Sequence, residues 1–224
     1  MTFSIAARCA GTGMFGLAVS SSSPAVASRC AFARAGVGAV ASQNITDPTL
    51  GPWVLDLMAG GAAADEALAL VVAASPHSDY RQLTAIDAAG RTAAYEGART
   101  LDVHGVAEGV NAVAAGNLLA DAAVPAAMIA AFQDSAGHLG DRLLQAMKAG
   151  LAAGGEAGPV RSAGLLLVRE VPWPVADLRV DWHERDPIAA LAEVWTIFKP
   201  QMDDYVTRAL DPSAAPGFGV PGDP

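Results

Sequence analysis

Residues 2–20 read TFSIAARCAGTGMFGLAVS. TFSIAAR (2–8) alternates loosely between apolar and small polar side chains, and AGTG (10–13) carries turn chemistry. MFGLAVS (14–20) then resumes a strand, so the stretch predicts a β-hairpin. A sheet therefore starts with the chain itself, and Thr2 stands at the head of its first strand.

Outward from the hairpin, Ser20 to Ser23 and Pro24 break the pattern, AVASRCAFARAG runs to Gly36, and VGAVASQ (37–43) reads as a buried strand. Three strands are thus expected before any helix. Asn44 to Asp47 give a capping signal and Pro48 suits a first helical turn. Leu50, Val54, Leu55 and Met58 then recur at helical spacing up to Gly60 and Gly61. Residues 62–74 predict a second helix, with Asp65 and Glu66 at the end where negative charge suits the macrodipole. Strands are expected at 81–86 and 91–95 around an Asp87 to Gly90 turn, and at 109–119. Helices are expected at about 122–133 and 139–152, followed by a Gly-rich loop. SAGLLLVRE (162–170) and DLRVDWHE (177–184) predict two last strands, and a final helix from Asp186 and Pro187 meets Pro200, which kinks or splits it. Residues 1–210 read as a single domain of class α+β, and 211–224 as a Pro/Gly-rich arm. Antiparallel hairpins alternating with paired helices bury their faces best as two sheets between helical layers, an αββα sandwich.

Composition narrows the function classes. Of 224 residues, 52% are hydrophobic and 17% charged, which suits a globular chain, and the net charge of −9 supplies no basic surface for nucleic acid or anionic membrane. The opening MTFSIAARC lacks the basic and long apolar regions of a secretory signal, and the Ala-rich runs are interrupted by charge, so a cytoplasmic protein is expected. Cys9 and Cys30 read as reduced packing residues. His77, His104, His138 and His183 show no ligand spacing, and no metal or other cofactor is expected. Gly36 to Ala41 formally fits G-x-G-x-x-A, but it lies inside a strand and no helix opens after it, which argues against a dinucleotide site. Trp195, Phe198 and Tyr205 beside the arm predict a homodimer through the C-terminal end.

Thr2 is the residue with the most distinctive potential chemistry. A free N-terminal Thr carries its own base, because the α-amine titrates near neutrality and can take the proton of its hydroxyl. Thr2 is small enough for removal of Met1 to be expected without a propeptide. The plainer alternative is a β-branched strand starter.

TFSIAAR, AVSSSSPAV, ARAGVGAVASQ, Arg81-Gln82 with Asp87, Gly116-Asn117, Arg161-Ser162-Ala163 and ADLRVDWHERDP together resemble the family called domain of unknown function 1028, from Thr2 to about Leu191. Its members look like N-terminal-nucleophile (Ntn) hydrolases. The resemblance implies an αββα sandwich and brings no established substrate. It implies Thr2 as nucleophile, with Asn117 helping to stabilise an oxyanion. Ser21, Ser22 and Gln82 would shape a pocket, and Arg81, Arg161 and Ser162 would contact a small-molecule substrate. The family pattern has Gln where this chain has Arg161, which puts specificity there in question. Arg81 reads equally well as a structural ion-pair partner and Asn117 as a strand-end hydrogen bonder. The competing reading is a non-catalytic binding or assembly protein that keeps Met1.

Overall fold

The structure, a computed structural model, describes residues 1–220. The last four residues of the expected arm, 221–224, lie outside the described residues. Period-two alternation organises the first strand, β1 (Thr2–Arg8). Phe3, Ile5 and Ala7 join one apolar core while Ala6 joins another, so the strand is buried on both faces. A loop closed by Cys9 N–H to the Met14 carbonyl at 2.8 Å returns the chain into β2 (Phe15–Ser21), with Gly13 in the left-handed region at φ 71°.

The first sheet also contains β7 (Gly105–Gly109), β8 (Ala112–Asn117), β9 (Ser162–Val168) and β10 (Ala176–Val180). Its order is β10-β9-β2-β1-β8-β7, so the N-terminal strand is interior. The second sheet runs β3-β4-β5-β6, from β3 (Ala31–Arg34), β4 (Gly38–Asn44), β5 (Arg81–Asp87) and β6 (Thr92–Glu96). Every pairing is antiparallel.

The sheets face one another over Ala6, Phe15, Leu17, Val19, Ala39 and Ile86. On the outside of the second sheet lie α2 (Leu50–Ala59) and α3 (Ala64–Ala74). On the outside of the first lie α4 (Val124–Asp134), α5 (Leu139–Ala152) and α6 (Pro187–Phe198). The chain is therefore α+β with two antiparallel sheets, and each sheet hides its second face beneath helices. No helix among the described residues is long and apolar enough to cross a membrane.

Several expectations need correction. Four strands and a single helical turn, α1 (Ala27–Cys30), precede the first long helix, where the sequence predicts three strands alone. Tertiary packing explains this: Ala27 packs on β9 so closely that a Cβ at Gly164 would lie 2.3 Å from it, and Ala31–Arg34 then pairs with β4. The expected strand 109–119 is half of a hairpin, because Asn111 takes φ 57° and reverses the chain between β7 and β8. The last strand ends at Val180, short of the expected 184. The C-terminal helix starts with Asp186 accepting from the N–H groups of Ile188 and Ala189 at 3.0 and 2.9 Å. It splits at a 3-10 turn, Lys199–Gln201, before α7 (Met202–Leu210). The described part of the arm folds back on α7, where the Arg208 guanidinium sits 3.9 Å from the centre of the Phe218 ring.

Close strand contact makes one glycine diagnostic. A Cβ at Gly38 would lie 2.2 Å from the Ile86 carbonyl oxygen, whereas one at Gly11 in the hairpin loop meets nothing within 4 Å. Gly38→Ala is expected to lower stability in urea denaturation by about 1–3 kcal/mol and Gly11→Ala by less than about 0.5 kcal/mol. Equal effects would contradict the packing described.

Candidate functional site

The space between the sheets is apolar along most of its length and polar at one end. Thr2 and Ser4 continue the face begun by Ala6, and Thr2 pairs directly with Asn117 across the ladder. Ser21 pairs with Ser162, and Gln43 with Gln82, whose other neighbour is Glu96. Thr2, Ser4, Ser21, Gln43, Gln82, Asn117 and Ser162 are all buried, so their polar atoms need partners inside the protein.

Those partners link the two sheets. Ser4 Oγ donates to Gln43 Oε1 at 2.7 Å, Gln43 Nε2 to Gln82 Oε1 at 2.7 Å, and Asn117 Nδ2 to the same Gln82 oxygen at 3.0 Å. Gln82 Nε2 returns to the Gly116 carbonyl at 2.9 Å and to Glu96 Oε1 at 2.8 Å. Each carboxamide is thereby fixed in one orientation. Asn117 Oδ1 and Thr84 Oγ1, also buried, have no hydrogen-bond partner. An unpaired buried acceptor costs about 1–3 kcal/mol, and the Asn117 oxygen belongs to the residue opposite Thr2.

Thr2 itself is 5% exposed. Its hydroxyl donates to the carbonyl oxygen of Met1, which also accepts from Ser21 Oγ at 2.6 Å. Ser21 Oγ in turn contacts Ser23 Oγ at 2.7 Å. The serine loop is pinned by Ser162, whose Oγ donates to the Ser23 carbonyl at 2.6 Å and accepts from Val26 N–H at 3.2 Å. Ser22 contributes its backbone: its N–H lies 3.0 Å from both carboxyl oxygens of Glu156.

Glu156 sits in the Gly-rich loop, between left-handed Gly154 and Gly155 and a β-bridge to Leu119. That bridge brings the loop beside the end of β8, two residues beyond Asn117. Burial disfavours its charge and pushes its pKa from 4.5 to about 7, against the lowering pull of the Ser22 hydrogen bonds and the chain's N-terminal ammonium. The same electrostatics place Glu156 within the field of the chain's N-terminus.

The sequence-predicted residues thus separate into two groups. Thr2, Asn117, Gln82, Ser21, Ser22 and Ser162 come together at the polar end. Arg81 pairs with Asn44 on β4, is one residue out of phase with Gln82, and reaches the Ile45 carbonyl near the surface. Arg161 points to Glu184, with its guanidinium 5.7 Å from the Trp182 ring centre. Neither arginine side chain joins the cluster around Thr2. Ser23 lies in the serine run that the sequence marks, whereas Gln43 and Glu96 carry no sequence signal of a site role. For Glu156 the available signal is a lone carboxylate in a loop otherwise made of Ala, Gly and Pro.

Both cysteines are free, and burial pushes the Cys30 thiol up, away from the thiolate. Among the described residues, no group of three or more His, Cys, Asp or Glu side chains is placed to hold a metal. What the polar end offers is a β-branched hydroxyl, amide and hydroxyl donors, and one carboxyl poised near neutrality, a set suited to attack on a carbonyl carbon.

Glu156 gives the site a pH signature. In the unfolded chain it ionises near 4.5 and in the fold near 7. Folding therefore retains a proton between these values, and the stability from the neutral carboxyl is full below the lower one and lost as pH rises to the upper. The slope approaches about 1.4 kcal/mol per pH unit. Glu156→Gln is expected to flatten the fall in melting temperature between about pH 5 and 7 and to melt above the wild type at about pH 8. An unchanged slope would contradict the assignment.

Comparison with known proteins is consistent with this architecture. The model of the Family of unknown function (DUF1028) matches residues 2–191. Protein SPO2555 from Silicibacter pomeroyi, of the same family, has a crystal structure similar to this one: TM-score 0.85 and 31% identity, covering 91% of this chain and 89% of that one. The ancestral β-subunit Anbu from Yersinia bercovieri aligns over 91% of this chain and 97% of its own at 11% identity, but its TM-score of 0.37 is too low to bear on fold or function. No curated protein matches the chain. With the family model spanning most of the sequence and a family structure superposing over nearly all of it, the chain belongs to the DUF1028 family.

Proposed function

We propose that this protein is an N-terminal-nucleophile type hydrolase of a small amide or related C–N bond, on an αββα sandwich of that type, with Thr2 as nucleophile once Met1 is removed. The observation that carries the reading is the position of Thr2. It heads an interior strand at the polar end of the space between the sheets, opposite Asn117 and beside the serine loop.

In this mechanism the freed α-amine takes the Thr2 hydroxyl proton as Oγ1 bonds to the substrate carbonyl carbon. The carbonyl π pair moves onto oxygen, and its return breaks the C–N bond as the leaving amine takes the proton. Water, activated by the same amine, then cleaves the acyl ester and restores the hydroxyl. The unpaired Asn117 Oδ1 suits a donor supplied by the new α-amine or by a substrate N–H. With Met1 present the Thr2 hydroxyl is tied to the Met1 carbonyl, which favours a silent protein until that residue is gone.

Intact-mass measurement on protein from its native host is expected to show loss of Met1. In a panel of small amides, Thr2→Ala is then expected to lower turnover by at least about a thousandfold. Met1 retained in every molecule, or unchanged turnover in Thr2→Ala, would overturn the reading and favour the binding or assembly protein.

We further propose a homodimer through α6 and α7: of the aromatic residues expected to mediate it, Trp195 is buried in the core and Tyr205 is exposed, and beside them Ile197 and Leu210 are 69% and 64% exposed. Light scattering is expected to give twice the monomer mass. A monomer mass at micromolar concentration would refute it.

A further inference from the structure

The Met1 carbonyl oxygen marks a built acceptor position. Ser21 Oγ donates to it at 2.6 Å. With its one proton so used, Ser21 Oγ is an acceptor toward everything else, and it takes Ser23 N–H at 3.1 Å and contacts Ser23 Oγ at 2.7 Å. The proton in the Ser21–Ser23 contact therefore belongs to Ser23. Ser23 Oγ accepts in turn from Arg29 Nη2 at 2.5 Å. The hydrogen bonds all run in one direction, from a guanidinium through two hydroxyls to a carbonyl oxygen.

Such a chain is cooperative: a cation at the donor end polarises each O–H, and the last donor strengthens most when its acceptor gains negative charge. Its members are held in place independently. Arg29 Nη1 binds the carbonyls of Pro24 and Ala25 at 2.7 and 3.0 Å, Ser162 Oγ holds the Ser23 carbonyl, and Glu156 holds Ser22 N–H. The Thr2 hydroxyl contacts the same Met1 oxygen, so a carbonyl group at this position lies within reach of Thr2 Oγ1. Hydrogen-bond donors aimed at a fixed point beside a nucleophile stabilise the charge that develops there on attack.

We infer that the place held by the Met1 carbonyl oxygen receives the acyl oxygen of an amide or ester substrate after Met1 leaves, with Ser21 as its charge-stabilising donor and Ser23 and Arg29 as positioning residues that polarise Ser21. This rests on the nucleophilic role of Thr2. It assigns Ser21 to transition-state stabilisation, beyond lining a pocket, and gives Arg29 and Ser23 functions through it.

The test uses Met1-free protein and p-nitrophenyl acetate, an activated ester whose acyl transfer releases p-nitrophenol. The rates to compare are those of the wild type, Thr2→Ala, Ser21→Ala, Arg29→Gln, Arg29→Lys and the Ser21→Ala/Arg29→Gln double variant. Ser21→Ala is expected to slow release about a hundredfold, the usual loss for one oxyanion donor, and Arg29→Gln about tenfold. Arg29→Lys should recover part of the rate by restoring the cation. The double variant should be no slower than Ser21→Ala alone, because Arg29 acts through Ser21. A wild-type rate no faster than Thr2→Ala removes the nucleophile and the relay together. A fast wild type with Arg29→Gln unaffected, or with additive losses in the double variant, overturns the relay and leaves Thr2 standing.

Discussion

Gln82 holds the two sheets in register at their polar end, and the candidate site depends on it. Its carboxamide oxygen accepts hydrogen bonds from Gln43 on its own sheet and Asn117 on the other, while its nitrogen donates to the Gly116 carbonyl and to Glu96. Two sheets packed only through apolar side chains such as Phe15, Leu17 and Ile86 can slide, since dispersion contacts are weakly directional. A buried amide with its donors and acceptors satisfied in one geometry resists such movement, because displacement strands several desolvated groups at once. Thr2 inherits its position from this arrangement, being the ladder partner of Asn117.

The apolar remainder of the fold serves that placement. Fully buried Phe3 and Ile5 anchor β1 against α4 and α5, so the strand that starts the chain is held from its second and fourth residues after Met1. Chain ends usually fray, and an N-terminal residue fixed well enough for chemistry must be tied down in this way. The serine loop after β2 lies against the Met1 carbonyl and meets the loop carrying Glu156 through the Ser22 N–H.

The fold was legible where periodicity is strong. The hairpin at Thr2, the helix at 139–152 and the capped start at Asp186 are local features whose signals lie in a few adjacent residues. The helical turn at Ala27 and strand β3 were not, because their alanines carry no pattern and their conformation comes from contact with Gly164 and β4. In the site, Thr2, Ser21, Gln82 and Asn117 were legible through strand position and family resemblance. Period two predicts that adjacent strand residues face opposite ways, and this is why Arg81 parts from Gln82. Glu156 and Arg29 owe their places to long-range loop contacts and to the turn at Ala27, for which the sequence holds no local code.

The central claim is that Thr2, once it is the first residue, is the protein's reactive group. Its most direct test is treatment of Met1-free protein with a small β-lactone, followed by tandem mass spectrometry of the N-terminal peptide. Attack opens the lactone ring and leaves an acyl adduct, which is predicted on Thr2 at one equivalent per chain and absent when Met1 is retained. Adducts on Ser21 or Ser22, or no adduct on a folded Met1-free chain, would contradict the account.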